Sequence, residues 1–347
     1  MADTPLTVDV HAHHFPTGLP DFAARTGDGR WPRLERDGGL GEGGARIMRG
    51  DDLFRKVSAA CHDPAIRLAE LDAAGVDRQV ISPVPITLID WAPPADADEF
   101  LRSQNDRLAE IAADSGGRLL ALGAVPLHDT DLAVAELARL RGDLGMAGVE
   151  ITAMTGGREL DDTELDPFWA AAAAEQVPVF VHPAHQAVTT RRPGMPYEFG
   201  IGMLTDTALA AAALVYGGVL DRHPNLRIAL AHGCGAFPWV HPRLRYLAMR
   251  TSGDIGHEEA RSVGNALDDL VRSLWVDCLV FDPANVSLLV ERFGADHVLY
   301  GTDHPFLPEG FDGPREVIAE AIGAGSGLDE RCLGANALDF LGLSPTS

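Results

Sequence analysis

Short apolar stretches alternate with longer amphipathic ones along most of the chain. Eight stretches rich in Val, Ile, Leu and Ala predict strands over residues 6–10, 79–82, 119–125, 147–151, 177–181, 226–231, 274–278 and 297–301. The segments between them predict helices over 64–74, 98–114, 129–141, 167–175, 202–221, 236–250 and 283–293, with two more at the end. Apolar strands that alternate with helices are typical of a parallel sheet. Eight such units favour a (β/α)8 TIM barrel. An open doubly wound sheet is the alternative, but no Gly-x-Gly-x-x-Gly follows the first strand.

Residues 14–60 interrupt this alternation. They are rich in Gly, Pro and Arg up to residue 50, and no apolar period persists. We expect an insertion after strand one that acts as a lid or contact arm, with a disordered loop as the alternative. The pattern shows no repeat and no low-complexity linker, so residues 1–347 are expected to form a single domain. The next helix has clear signals, with Asp63 as N-cap, Pro64 in the first turn and Gly75 as the stop.

Composition narrows the class of protein. The 347 residues are 46% hydrophobic, which is enough for a substantial core. A formal net charge of -23 argues against nucleic acid and anionic membranes as partners. Four scattered cysteines without a C-x-x-C pair predict free, mostly buried thiols in a reducing compartment. We found neither a basic, apolar leader nor a run of about 18 apolar residues, and therefore expect a cytoplasmic protein.

Histidines and one aspartate follow several of the predicted strands. His11 and His13 come directly after strand one and share a face, because side chains alternate along a strand. His182 follows strand five, His232 follows strand six and Asp303 follows strand eight. The active site of such a barrel lies at the carboxyl ends of its strands. A single buried histidine is usually a core residue, but this set predicts a metal site whose ligands are mainly histidine imidazoles. Lys56 is the only lysine, so we set aside Schiff-base and lysine-carbamate chemistry.

The chain resembles the amidohydrolase superfamily, and within it the aminocarboxymuconate-semialdehyde decarboxylase-like family of metal-dependent nonoxidative decarboxylases. The resemblance extends over almost the whole chain. The segments that carry it are residues 8–13, 63–67, 72–77, 182–183, 231–238, 301–306 and 336–337.

This resemblance implies roles for the residues at the strand ends. His11, His13, His182 and Asp303 would be ligands of one Zn²⁺, with Mn²⁺ as the alternative, and water would complete the shell. His232 would be the catalytic base, acting with Asp303. Three imidazoles and one carboxylate leave a position for a reactive water, as catalytic zinc sites do. Histidine suits proton transfer because its ordinary pKa lies near neutral pH.

The resemblance also implies substrate-binding residues and a homodimer. Arg55 would bind the substrate carboxylate, and Arg243 would enter the neighbouring subunit's site. A guanidinium group binds a carboxylate with two parallel hydrogen bonds. Phe306 would form an aromatic wall of the pocket. The alternatives are surface ion pairs for the two arginines and core packing for Phe306.

Three positions depart from the family pattern. Asp51 stands where a basic residue is expected, Glu150 replaces a neutral amide at the end of strand four, and His185 follows His182 in place of a bulky aromatic residue. Glu150 would bridge to a second metal, as in hydrolytic relatives, or pair with an arginine. The chain begins its motif with His-x-His, whereas resorcylate-type decarboxylases begin with Glu-x-His. This difference favours the muconate-semialdehyde type, or a hydrolase or hydratase.

Three functions follow from these observations. The first is a zinc-dependent decarboxylase that acts on an unsaturated or aromatic small-molecule carboxylate. The second is a hydrolase or hydratase on the same metal centre, which would open a lactone or amide or hydrate a double bond. The third is a noncatalytic metal-binding protein, in which His232 would be replaceable.

Overall fold

Eight parallel strands form the central sheet in the computed structural model, which describes residues 6–40, 43–184, 189–251 and 257–344. The strands are β1 Val8–His14, β2 Pro32–Arg36, β3 Ala45–Arg49, β4 Asp52–Val57, β5 Arg78–Pro83, β6 Leu119–Ala124, β7 Gly148–Thr152, β8 Pro178–His182, β9 Arg227–Leu230, β10 Trp275–Asp277 and β11 Val298–Leu299. The order in the main sheet is β1-β5-β6-β7-β8-β9-β10-β11. All eight predicted strands are present, and the first extends through both histidines to His14.

Hydrogen bonds close this sheet into a barrel. The N–H of Val10 donates to the carbonyl of Tyr300 at 2.9 Å, and the N–H of Asp303 donates to the carbonyl of His11 at 2.8 Å. The first strand is thereby joined to the segment that follows the last one. The predicted (β/α)8 architecture is confirmed, and the open-sheet alternative is wrong.

Helices connect successive strands. They are α1 Phe22–Thr26, α2 Pro64–Ala74, α3 Pro94–Asp114, α4 Thr130–Gly142, α5 Asp166–Ala174, α6 Met195–Tyr197, α7 Met203–Tyr216, α8 Val219–Arg222, α9 Ala231–Cys234, α10 Phe237–Thr251, α11 His257–Arg272, α12 Pro283–Phe293, α13 Asp312–Gly323 and α14 Ala335–Leu341. The carboxylate of Asp63 caps α2 by accepting from the N–H groups of Ala65 and Ile66, and Gly75 ends it in a left-handed conformation.

Two helical predictions need correction. The segment 202–221 is not one helix, because Gly218 adopts a left-handed φ of 80° and separates α7 from α8. Helix α11 was not predicted at all. The structure places it between α10 and β10, where the sequence analysis assigned no element.

The insertion after β1 is more regular than its composition suggested. Strands β2, β3 and β4 form an antiparallel sheet, which the aperiodic sequence did not predict. Ile47 of β3 is buried in a cluster with Phe15, Val84 and Ile86, and Phe306 packs against this cluster. The insertion is thereby fixed against the ends of β1 and β5. Residues 41–42 of the predicted insertion lie outside the described residues.

One helical run has the length and composition of a membrane-crossing helix. Among the described residues this run is Met195–Tyr216, with a mean hydropathy of 1.5 over its most apolar window. The run includes Glu198 and Asp206, so it is not an uninterrupted stretch of 18 apolar residues, and the expectation from the sequence stays a prediction. Half of that window is buried in the fold, and core helices commonly share this composition.

Candidate active site

The carboxyl ends of the barrel strands bring the predicted metal ligands together. The Nε2 atoms of His11 and His13 lie 3.3 Å apart, and Oδ1 of Asp303 lies 3.7 Å and 3.2 Å from them respectively. The ring centroid of His182 is 5.2 Å from that of His11 and 5.0 Å from that of His13. All three histidines are buried. The four residues thus meet in one place, as the sequence predicted.

Hydrogen bonds on the Nδ1 side orient the three imidazoles. Nδ1 of His11 lies 2.7 Å from Oδ2 of Asp277. Nδ1 of His13 lies 2.9 Å from the carbonyl oxygen of Pro83, and Nδ1 of His182 lies 2.7 Å from that of Pro183. Carbonyl and carboxylate oxygens accept, so each Nδ1 donates. In a neutral ring, Nε2 then presents its lone pair to the centre of the cluster.

This donor set fits a divalent metal ion. His11, His13 and Asp303 form one group whose ligand atoms lie within 4.8 Å of one another, and His11, His182 and His232 form another. The buried Nε2 of His182 has no hydrogen-bond partner among the described residues. An unpaired buried acceptor is costly, and a cation would satisfy it. Imidazole and carboxylate ligands suit Zn²⁺ and similar ions.

Burial and charge separate the pKa values of the ligands. Burial lowers the pKa of His13 and lowers that of His182 further. Burial also opposes the charged form of His11, but its hydrogen bond to Asp277 and the nearby carboxylates raise the pKa to about 9. Partial burial opposes the charged form of Asp303 as well, yet its contact with His13 lowers its pKa to about 2. Asp303 is therefore a carboxylate at neutral pH.

Asp277 is a site residue that the sequence analysis missed. Its carboxylate accepts from Nδ1 of His11 and from the backbone N–H groups of His232, Gly233 and Leu279, at 2.7, 2.8, 3.0 and 3.0 Å. One buried side chain therefore orients a predicted metal ligand and fixes the turn that carries His232. The signal available in the sequence was a carboxylate inside the apolar stretch 274–278, which is the seventh predicted strand and corresponds to β10.

His232 lies beside the ligand cluster in an unusual backbone conformation. Its φ and ψ are 55° and 45°, in the left-handed region that non-glycine residues rarely occupy. The ring centroid is 5.1 Å from those of both His11 and His182. Nδ1 is buried without a hydrogen-bond partner in the described part of the chain. Burial lowers the pKa of His232 to about 4, so the ring is neutral at pH 7.

Glu150 approaches His13 from the edge opposite the ligand cluster. Oε1 lies 4.0 Å from Nδ1 of His13, whereas the ligand contacts of that ring are made by Nε2. Burial raises the pKa of Glu150 well above its ordinary value. Among the described residues, Glu150 belongs to neither group that could hold a metal and pairs with no arginine. This position gives no support to either interpretation of Glu150 made from the sequence.

Arg55 and Phe306 form one wall of the site. The guanidinium carbon of Arg55, on β4, lies 4.4 Å from the ring centroid of Phe306 and 5.5 Å from that of Phe199. Phe306 in turn stacks on His13, with centroids 5.3 Å apart. Arg55 and Phe306 line a recess together with His182, His232 and Asp303. No carboxylate in the described ranges pairs with Arg55, so the surface ion-pair alternative has no support.

Arg243 is not brought to the site of its own chain. It lies exposed on α10 and lines neither the recess nor the larger cavity beside it. Its predicted role in a neighbouring subunit stays a prediction. Of the departures from the family pattern, Asp51 is exposed between β3 and β4, and His185 lies outside the described residues.

Comparison with known proteins identifies the family. A family model described as Amidohydrolase matches residues 8–343. The chain belongs to the amidohydrolase family. This amidohydrolase is 32% identical over 342 residues to the 2-amino-3-carboxymuconate-6-semialdehyde decarboxylase of Dictyostelium discoideum, a match that covers 98% of this chain and 92% of the relative.

Solved structures support the same fold for this amidohydrolase. The apo form of Metarhizium anisopliae IDCase matches with a TM-score of 0.79 and 22% identity, over 99% of this chain and 98% of that one. A Polaromonas dihydroxybenzoic acid decarboxylase with bound manganese and the inhibitor 2-nitroresorcinol matches with a TM-score of 0.68 and 19% identity, over 98% and 97%. The family model and the Dictyostelium relative confirm the family resemblance, and the relatives' names agree with the decarboxylase class that it implied.

Proposed function

We propose that this amidohydrolase is a metal-dependent nonoxidative decarboxylase of an unsaturated or aromatic carboxylic acid. The observation that carries the proposal is the convergence of three imidazoles and Asp303 at the strand ends, with His232 and Arg55 beside them. A buried cation site next to a neutral imidazole and a guanidinium group that pairs with no carboxylate among the described residues suits a substrate carboxylate. This group would leave as neutral CO2, while its negative charge passes to the substrate carbon and is neutralised there by a proton.

We assign His11, His13, His182 and Asp303 as the metal ligands. Zn²⁺ suits this ligand set, and the manganese in the Polaromonas relative makes Mn²⁺ the alternative. Such an ion would supply Lewis-acid stabilisation of negative charge on a substrate oxygen. The Nδ1 hydrogen bonds of the three histidines keep the ligand atoms oriented for it.

Arg55 would hold the substrate carboxylate against the Phe306 wall. A preorganised cation in a recess of low dielectric contributes more than the same charge in water. As the carbon–carbon bond breaks, its electron pair stays on the substrate carbon, and a proton must reach that carbon. We assign this transfer to His232, which would take a proton from solvent and deliver it to that carbon, because its ring lies beside the ligand cluster and its Nδ1 has no hydrogen-bond partner among the described residues.

We further infer a homodimer in which Arg243 reaches the partner's site. Arg243 and Tyr246 are both exposed on α10, one turn apart, and Tyr246 is 51% exposed. We also propose that residues 1–347 form one domain. Four separate buried thiols favour a reducing compartment, and we propose that it is the cytoplasm.

The test is a CO2-release assay on protein whose metal content has been measured by elemental analysis. Substrates named for the relatives, 2-amino-3-carboxymuconate semialdehyde and dihydroxybenzoic acid, are the first to try. We expect turnover that His232→Ala abolishes while the bound metal is retained. Opening of a lactone or amide, or hydration of a double bond, without CO2 would establish the hydrolase or hydratase instead. Retained function in His232→Ala would contradict its assigned role.

A further inference from the structure

A large cavity opens beside the candidate catalytic groups and is not used by the reaction proposed above. Its volume is about 580 Å³, and His232 and Asp303 form part of its wall. Sites that hold drug-sized ligands measure roughly 300–1,000 Å³, so the cavity exceeds what a single-ring acid needs. The recess that contains Arg55 shares Phe199, Met203, His232 and Asp303 with it. A substrate held by Arg55 therefore has room to extend into the cavity.

The residues that line this cavity are mostly apolar. His232 and Asp303 are the only ionisable residues among the described ones that line it. Asp303 is itself a proposed metal ligand, and His232 lies beside the ligand cluster. The remainder is almost entirely apolar: Met203, Leu204, Pro238, Leu279, Val280, Leu288, Leu289 and Leu307, with aromatic residues. A charged group placed among these apolar side chains would lose water without gaining a partner from them. A hydrocarbon group would lose water favourably.

Two aromatic side chains are exposed at the cavity. Trp239 on α10 is 80% exposed, and Phe281 is 68% exposed. Phe281 also has a φ of 57°, a left-handed conformation that is a strained choice for a bulky residue. Exposed apolar groups of this size that border a cavity are characteristic of binding surfaces. Strained backbone likewise concentrates at ligand-binding positions.

We propose that this cavity binds an apolar substituent of the substrate. The preferred substrates would then be aryl carboxylic acids that carry an alkyl or phenyl group, with the carboxylate toward Arg55 and the substituent between Leu204 and Leu289. The inference rests on the proposed function for its substrate class, and its occupant is the substrate because the cavity is continuous with the catalytic recess.

The test separates binding from turnover by using a ligand that cannot lose CO2. The probes are 2-nitroresorcinol and its 5-propyl and 5-phenyl derivatives, titrated calorimetrically into the metal-loaded full chain. We expect the dissociation constant to fall roughly 10-fold or more from the parent to the propyl compound, as burial of three carbon atoms implies. In parallel, CO2 release is measured with 2,6-dihydroxybenzoate and its 4-propyl and 4-phenyl derivatives.

A cavity-filling variant supplies the structural control. Gly200 lines the cavity, and a Cβ built there meets no atom within 4 Å, so Gly200→Leu would occupy the space without a backbone clash. Gly142 ends α4 at an exposed position with equally open surroundings, and Gly142→Leu is the matched control. Gly200→Leu should reduce the gain from the propyl group to about twofold or less, whereas Gly142→Leu should keep the wild-type gain.

Each outcome has a defined meaning. A gain in affinity with substituent size that Gly200→Leu removes and Gly142→Leu keeps supports the inference. If this gain is seen but no acid is decarboxylated, the inference stands and only the proposed function fails. Equal affinity for all three nitroresorcinols overturns the inference, even if 2,6-dihydroxybenzoate loses CO2. Occupation of the cavity by a second copy of the chain would produce that flat series. Failure of all three to bind overturns it as well.

Discussion

At the residue scale, the site depends on a carboxylate that touches no substrate. Asp277 orients His11 through Nδ1 and holds the backbone of His232 through its N–H group. A shift of this one side chain would move a metal ligand and the proton-transfer group together. Loss of a residue that hydrogen-bonds to a metal ligand commonly weakens metal binding, because the ligand is no longer held in its orientation.

We predict that Asp277→Asn weakens metal binding by roughly 10- to 100-fold. The amide keeps the shape of the side chain but loses the charge that stabilises the His11 ring and its Nδ1 proton. The measurement is competition with a chelator of known affinity. Asp269→Asn, at an exposed position on α11, is the control and should leave affinity unchanged. Unaltered affinity in Asp277→Asn would remove this residue from the site.

Metal uptake is expected to release a proton. In the metal-free chain the pKa of His11 is raised to about 9, so His11 is protonated at pH 7, and a metal ion must displace that proton. Apparent affinity should rise about 10-fold for each pH unit between pH 7 and 9, then level off. Calorimetry in buffers of different ionisation enthalpy should show about one proton released from this group at pH 7.

The same pKa predicts how the metal-free fold responds to pH. A histidine whose folded pKa is raised above its unfolded value of about 6.5 stabilises the fold fully below that value. The contribution is lost as pH rises through about 9. The midpoint of urea unfolding of the metal-free chain should therefore fall between pH 7 and 9, and His11→Gln should flatten this dependence.

At the element scale, the insertion after β1 supplies Arg55, the residue proposed to bind the substrate carboxylate. Strand β4 carries Arg55 into the recess, and the antiparallel sheet fixes its position. The side chain is held between the rings of Phe306 and Phe199. The guanidinium group is thereby oriented before a substrate arrives.

We predict that Arg55→Gln lowers kcat/KM by about 10- to 100-fold, because hydrogen bonds to charged groups contribute about 1.5–3 kcal/mol. The loss should be carried mainly by KM, with metal content unchanged. Arg36→Gln, at the exposed end of β2, is the matched control and should match the wild type. A variant that loses metal along with activity would show that Arg55 is structural.

The sequence predicts the regular elements of the barrel well and the insertion poorly. Central strands such as β6 and β8 are nearly continuous apolar runs, and α2 carries its own cap and stop, so local pattern and tertiary context agree. Strand β4 reads Asp-Leu-Phe-Arg-Lys-Val and is largely accessible, so burial imposes no strict alternation on it. Its strand conformation comes from pairing with β3, which no local pattern encodes.

The site shows the same division. The convergence of the proposed metal ligands could be predicted because a barrel places the carboxyl ends of all its strands at one end, as with His182 and Asp303. The orientation of those ligands could not, because Asp277 acts through a contact that spans 266 positions of the chain. The left-handed conformation of His232 was also hidden, since only a few per cent of non-glycine residues adopt it and histidine signals it weakly.

At the scale of the whole molecule, the proposed dimer makes a prediction that a monomer does not. If Arg243 acts in the partner's site, an Arg243→Ala chain and a His232→Ala chain are each inactive alone. Mixing the two should restore up to about a quarter of wild-type activity, since one of the two sites in each hybrid dimer is complete and half of randomly mixed dimers are hybrids. Size-exclusion chromatography with light scattering verifies that the chains exchange. No restoration after exchange would exclude the shared site.

The hydrogen bonds that join Val10 to Tyr300 and His11 to Asp303 have a consequence for biosynthesis. A ribosome releases the amino-terminal histidines almost three hundred residues before the aspartate that completes their cluster. The nascent chain therefore cannot hold its cation with all four donors until translation is nearly finished. Coordination of a metal ion by all four proposed ligands is thus a late event in the synthesis of this chain.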